Sequence, residues 1–97
     1  MTHWLVTRHP GAEEWVRRRG IQVDRQVDHL DVGSISEGDT VIGTLPVNLA
    51  AEVCRRGGHY IHLALEVPPH LRGEELSADQ LKTLDAELVP YRVTRLE

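Results

Sequence analysis

Twice in this chain a short apolar run breaks through a threonine into a proline-started amphipathic stretch. His3-Trp4-Leu5-Val6-Thr7 leads to Pro10, and Thr40-Val41-Ile42-Gly43-Thr44 leads to Pro46. An apolar, partly β-branched run of this length reads as a buried strand, and proline at the head of an amphipathic stretch reads as the first turn of a helix. A strand that feeds a helix cannot return as a tight hairpin. The next strand lies parallel to it after a right-handed crossover. The doubled unit therefore points to an α/β fold.

The remaining segments agree. Over Pro10–Arg19, Ala12, Trp15, Val16 and Arg19 share a helical face, Glu13 and Glu14 sit in the first turn, and Arg17, Arg18 and Arg19 sit in the last. Gly20 suits a left-handed cap. Ile21–Val27 reads as a second strand interrupted by Asp24, Arg25 and Gln26, and a polar stretch, Asp28–Asp39, carries turn signals at Val32-Gly33-Ser34 and Glu37-Gly38-Asp39. Thr40–Gly43 is the third strand. In the helix opened by Pro46, Val47, Ala50, Val53 and Cys54 share the inner face, Arg55 and Arg56 close it, and Gly57-Gly58 end it. His59–Leu65 is the fourth strand, stopped by Pro68-Pro69, and His70–Leu76 is loop. Ser77-Ala78-Asp79-Gln80 is a capping box, so a third helix runs from there to about Leu84. Leu88–Leu96 alternates as a last strand, which Pro90 confines to a sheet edge. The order β-α-β-β-α-β-α-β predicts one small three-layer Rossmann-like domain over residues 1–97, with three helices around a mainly parallel sheet of about five strands. The pattern leaves the strand order open.

Composition narrows the function classes. Eleven Lys plus Arg against 15 Asp plus Glu give a net charge of −4, which is too acidic for extended contact with duplex nucleic acid. Aromatics are 4% with no Phe, so the core falls to Val, Leu, Ile and Ala. Cys54 is the sole cysteine, which excludes an internal disulfide framework and a cysteine-based zinc finger. No apolar run is long enough to span a bilayer and the N-terminus does not read as a signal peptide, so the expected location is cytoplasmic, with no membrane partner.

Ligands of open parallel sheets sit beyond the carboxyl ends of the strands. The two strand-to-helix junctions, Thr7-Arg8-His9-Pro10-Gly11 and Gly43-Thr44-Leu45-Pro46-Val47-Asn48, fall there. Each helix start offers backbone N–H groups and a positive dipole end to an anion. Arg8 adds a forked cation suited to phosphate, and Asn48 a carboxamide suited to a ribose hydroxyl or base edge. Plainer readings stand beside these. Thr7, Thr44, His9 and Asn48 also read as helix caps, and Arg8 as a partner of Asp28 or Asp31. The Arg17–Arg19 run lies about 15 Å along its helix and complements the dipole. His59 and His62, three apart on a strand, face opposite ways and cannot share a metal. His29 and Asp31 read as a solvated turn near the ligand side, and Cys54 as core. No Walker, GxGxxG or HExxH motif occurs, and no metal or cofactor is expected.

The blocks WLVTRHPGAEEW and GDTVIGTLPVNLAAEVC, with HLD, YIHLAL and RGEELS, resemble a family of small accessory proteins of type III CRISPR systems, the sixteenth of the "csx" families. The resemblance spans essentially the whole chain. It implies a compact relative of the CRISPR-associated Rossmann-fold sensor domains. It further implies a ring nuclease that linearises cyclic oligoadenylate, usually cyclic tetra-adenylate, bound on the two-fold axis of a homodimer. On this resemblance the ligand-side positions are Thr7, Arg8, His9 and Gly11, then Thr44, Pro46 and Asn48, to which Pro10, Gly43 and Leu45 of the same junctions are added.

For such a substrate the attacking group is the ribose 2′-hydroxyl, so a metal is not needed. The enzyme aligns that hydroxyl with phosphorus and stabilises the added charge. Arg8 and the helix N-termini are expected to hold the phosphate, His9 to move a proton, and Asn48 and Thr44 to hold ribose or adenine edges. A non-cleaving binding protein for the same ligand is the first alternative, because a phosphate cradle serves both. Arg8-His9 is also similar to the Arg-His-Gly signature of histidine phosphatases, but Pro10 intervenes before the glycine. A purely structural domain is the third reading and leaves the paired junctions without a purpose.

Overall fold

The computed structural model describes residues 1–97. The strands are β1 (His3–Val6), β2 (Arg25–Val27), β3 (Thr40–Gly43), β4 (His59–Ala64) and β5 (Glu87–Tyr91). The helices are α1 (Pro10–Arg18), α2 (Val47–Arg55) and α3 (Ala78–Thr83), with 3-10 turns at Val32–Ser34 and Pro69–Leu71. The sheet order is β2-β1-β3-β4-β5. The first four strands are parallel, and β5 closes one edge antiparallel to β4. The expected α/β class, strand count and element order therefore hold, and Pro90 does lie on an edge strand.

The layers follow from strand alternation. On one face Leu5, Ile42 and Leu63 pack with Ala12, Trp15 and Val16 of α1 and Ala78 and Leu81 of α3. On the other, Trp4, Val41 and Tyr60 pack with Ala50 and Val53 of α2 and with Ile35. Each face thus carries one tryptophan. Three of the four aromatics are buried, so the core is less purely aliphatic than composition implied.

Three expectations are corrected. The second strand is confined to Arg25–Val27, not Ile21–Val27. Before it, Asp24 accepts the His3 N–H with its side chain (2.8 Å) and donates its own N–H to the His3 carbonyl (2.9 Å). Ile21 and Val23 turn into the α1-side core. The last strand stops at Tyr91, because Tyr60 opposite it is only the second residue of β4 and the ladder runs out of partner. The chain then crosses α2, where the Val93 N–H meets the Cys54 sulfur at 3.4 Å. Val47 is 72% exposed rather than inward, since the first turn of α2 lies beyond the strand ends.

The N-terminal end of the β1/β3 pair is tied by Asp39, which is buried. Its carboxylate accepts from the Thr2 N–H (2.9 Å), the Ser36 N–H (3.0 Å) and the Trp4 indole (3.3 Å). The Thr2 and Ser36 donors, more than offsetting burial, hold its pKa below the usual carboxylate value.

Candidate functional site

Because β1 and β3 are neighbours while α1 and α2 leave on opposite faces, the chain reverses its winding between them. That is the switch point where doubly wound sheets bind ligands. Both proline-bearing junctions emerge there, at the carboxyl ends of adjacent strands.

In the first junction Thr7 donates its N–H to the Val27 carbonyl (3.0 Å), and its hydroxyl accepts the His9 N–H at 3.1 Å. Thr7 therefore shapes the turn rather than capping α1. His9 occupies the cap position, but its ring makes no capping bond. Its carbonyl accepts from Ala12 (3.1 Å) and Glu13 (3.4 Å). Arg8, His9 and Pro10 are exposed. Arg8 forms no ion pair with Asp28, Asp31 or any other carboxylate, unlike Arg17, Arg18, Arg55 and Arg56, which pair with Glu13, Glu14, Asp79 and Glu52. Arg19 lies 4.7 Å from the Trp15 ring centre, so the arginine run serves its own helix. Gly11 is buried, and a side chain there would overlap the Leu76 carbonyl; close packing accounts for this glycine.

The second junction is held from below. The Leu45 N–H donates to the Tyr60 hydroxyl (3.0 Å), which donates to the Gly43 carbonyl (3.1 Å) and lies 2.6 Å from His62 Nδ1. A phenol has one proton and two lone pairs, so all three contacts close when Nδ1 of His62 carries a proton and donates to the phenol. In a neutral ring that leaves Nε2 as the acceptor. Burial raises the Tyr60 pKa above its ordinary value, partly offset by the Leu45 N–H. His62 also meets Tyr91 edge-on, with ring centres 5.8 Å apart. A Cβ on Gly43 would come within 2.8 Å of the Val6 carbonyl, so sheet closeness demands this glycine. Pro46 is the cap residue, one position earlier than its first-turn role predicted, and its carbonyl accepts from Leu49 and Ala50 at 3.0 Å each. Thr44, Pro46 and Asn48 are exposed.

Between the junctions, on the α1/α3 face, a cleft of about 140 Å³ opens. Thr7, His9, Gly43 and Thr44 line it together with Glu74. Its floor is apolar, made of Leu5, Leu63, Leu65, Leu76 and Leu81 with Val6 and Ala12. Arg8, Pro10, Gly11, Leu45, Pro46 and Asn48 lie outside its lining. The crevice is therefore more apolar than a phosphate site requires, and its cation stands outside. Sequence reasoning missed Tyr60, His62 and Glu74. The period-two spacing of Tyr60 and His62 placed them on one face, but nothing in the sequence showed which loop they would meet.

The architecture defines a small doubly wound α/β protein with an exposed, unpaired arginine and imidazole at its switch point. The family model described as "Putative CRISPR-associated protein (Cas_VVA1548)" matches residues 4–94, and the chain belongs to that family. No curated protein and no solved structure matches it. No helix is long and apolar enough to cross a membrane.

Proposed function

We propose that this protein is a ring nuclease of the sixteenth csx family, acting in the cytoplasm on the cyclic oligoadenylate messenger of type III CRISPR defence. Cyclic tetra-adenylate is the expected ring. The observation that carries the reading is the convergence of Arg8 and His9 with the start of α2 at the switch point, which gathers a free cation, an imidazole and two helix N-termini at one edge. A four-fold ring is compatible with a protein two-fold axis, so a homodimer would present one such edge to each half of the ligand.

The ribose 2′-oxygen attacks the adjacent phosphorus and the bond to the 5′-oxygen breaks, giving a linear oligoadenylate that ends in a 2′,3′-cyclic phosphate. The proton lost by the 2′-hydroxyl leaves to a base, and the departing 5′-oxygen gains one. Arg8 and the first-turn N–H groups stabilise the charge that builds on the phosphoryl oxygens. His9, on the same exposed turn, transfers a proton. Thr44 and Asn48 hold ribose or base edges. No step requires a metal.

The deciding experiment incubates the protein with cyclic tetra-adenylate in EDTA and identifies the product. A linear product ending in a cyclic phosphate is expected. Absolute dependence on a divalent ion would overturn the mechanism. The second reading, a protein that binds the ring without cutting it, draws on the His9 imidazole having no capping bond and no hydrogen-bond partner, whereas catalytic bases are ordinarily oriented by a third group. Intact ligand recovered from a stable complex would select it.

A further inference from the structure

The leucine-floored cleft is poorly suited to an anion. Glu74 is the only carboxylate in its lining and no Lys or Arg lines it. A phosphate placed among the leucines would lose water and meet a carboxylate, with only the exposed His9 imidazole beside it. We infer that this cleft is a nucleobase pocket, in which one amino-bearing purine lies against the leucines and donates its exocyclic N–H to Glu74. This inference rests on the nucleotide reading given above and names the part of the ligand that this half of the site takes.

Size decides between a base and a whole nucleotide. Pockets that enclose a drug-sized ligand run to about 300 Å³ or more, while an apolar cavity of about 150 Å³ admits a single benzene ring. At about 140 Å³ and open to solvent, the cleft takes the six-membered, amino-bearing ring of one purine and leaves the five-membered ring, sugar and phosphate outside. Outside is where Arg8 and Pro10 of the first junction and Pro46 and Asn48 of the second lie. Chemistry then selects the edge. An ionised carboxylate only accepts hydrogen bonds, so the group it recognises must donate. The 6-amino group of adenine does so, and an unsubstituted purine has no donor on that edge.

The pocket also gives a purpose to the RGEELS block, Arg72 to Ser77, which supplies Glu74 and Leu76. Gly11 locks this block against the start of α1, because only a hydrogen fits beneath Leu76 and Ser77. The wall of the cleft is thus fixed to the helix whose first turn faces the phosphate.

The test titrates adenosine and unsubstituted purine riboside into protein with labelled leucine methyl groups, beside cyclic tetra-adenylate. Adenosine should shift the Leu63, Leu65 and Leu76 methyls and bind about tenfold more tightly than purine riboside, the scale of one hydrogen bond to a charged group. Glu74→Ala should reduce that preference to under about threefold. Leucine methyls that stay still while the ring binds would overturn the pocket and leave the proposed function standing. Methyls that respond to adenosine while the ring is neither bound nor cut would support the pocket and overturn the function. A tenfold preference retained in Glu74→Ala would overturn the role of Glu74.

Discussion

The two ends of the β1/β3 pair treat their charged groups in opposite ways. At the N-terminal end Asp39 is buried and satisfied by two backbone N–H groups and an indole. At the carboxyl end Arg8 is exposed without an ion pair, and the His9 ring makes no capping bond. A charge surrounded by protein donors stabilises the fold, and one left open to solvent is available to a ligand. The contrast separates the part of this strand pair that holds the structure from the part left open to a ligand.

The largest effect is expected at Asp39. Asp39→Ala leaves two backbone N–H groups and an indole without their acceptor, and hydrogen bonds to charged groups are worth about 1.5–3 kcal/mol each. A loss of about 3–5 kcal/mol is expected in denaturant unfolding, a large share of the about 5–15 kcal/mol typical of a domain. Cleavage per folded molecule should be unchanged. The folded state lowers this carboxyl's pKa, so its contribution is complete above the unfolded value near pH 4 and disappears as pH falls through the lower folded value. Wild type should therefore lose stability in acid more steeply than Asp39→Asn.

The mirror-image variants are Arg8→Ala and His9→Ala. Each should slow cleavage of cyclic tetra-adenylate by about a hundredfold or more, the usual scale for a charge-stabilising or proton-moving group, with melting within about 2 °C of wild type. Rates near wild type in both would place the site elsewhere. A large fall in melting temperature would make the carboxyl end as structural as the other.

Tyr60 lies between these extremes. Tyr60→Phe leaves the Leu45 N–H and the Gly43 carbonyl without their partner, so a loss of about 1–3 kcal/mol is expected. The folded state raises the phenol's pKa, so its contribution is complete below the unfolded value near pH 10 and falls as pH rises through the folded one. An alkaline loss of stability present in wild type should be smaller in Tyr60→Phe. The nitrogen shifts of His62 should move from the Nδ1–H form toward a mixture.

The same contrast explains what the sequence made legible. The strand-to-helix junction at Pro10, the Ser77–Gln80 capping box and the edge role of Pro90 are local devices that stand where the sequence places them, and the junction at Pro46 is off by one position. β2 was misjudged because Asp24, inside the expected strand, turns its side chain to the backbone N–H of His3, 21 positions away. Asp39 read as a turn residue, since nothing local shows that Thr2 and Trp4 will converge on it. The place of Arg8 and His9, at the carboxyl end of β1, was legible from the junction itself. Glu74 and the leucine floor were not, because a cleft drawn from β1, α1, β3, β4, α3 and the loop before α3 has no signature along the chain.

The smallest effect is expected at Thr7, where both behaviours meet in one residue. Its hydroxyl accepts a single N–H, from the exposed His9, so water can replace the bond once it is lost. Thr7→Ala should lower stability by about 0.5–1 kcal/mol, the scale of a turn or cap oxygen, which is a few degrees of melting in a chain of this size. Thr7→Ser keeps the oxygen and should restore most of it. The turn also sets where Arg8 and His9 point, so Thr7→Ala should slow cleavage several-fold with little change in ligand affinity, and Thr7→Ser should recover the rate. A stability loss matching that of Asp39→Ala would mean the carboxyl-end turn is a structural tie like its counterpart, and the distinction between a committed end and an available one would fail.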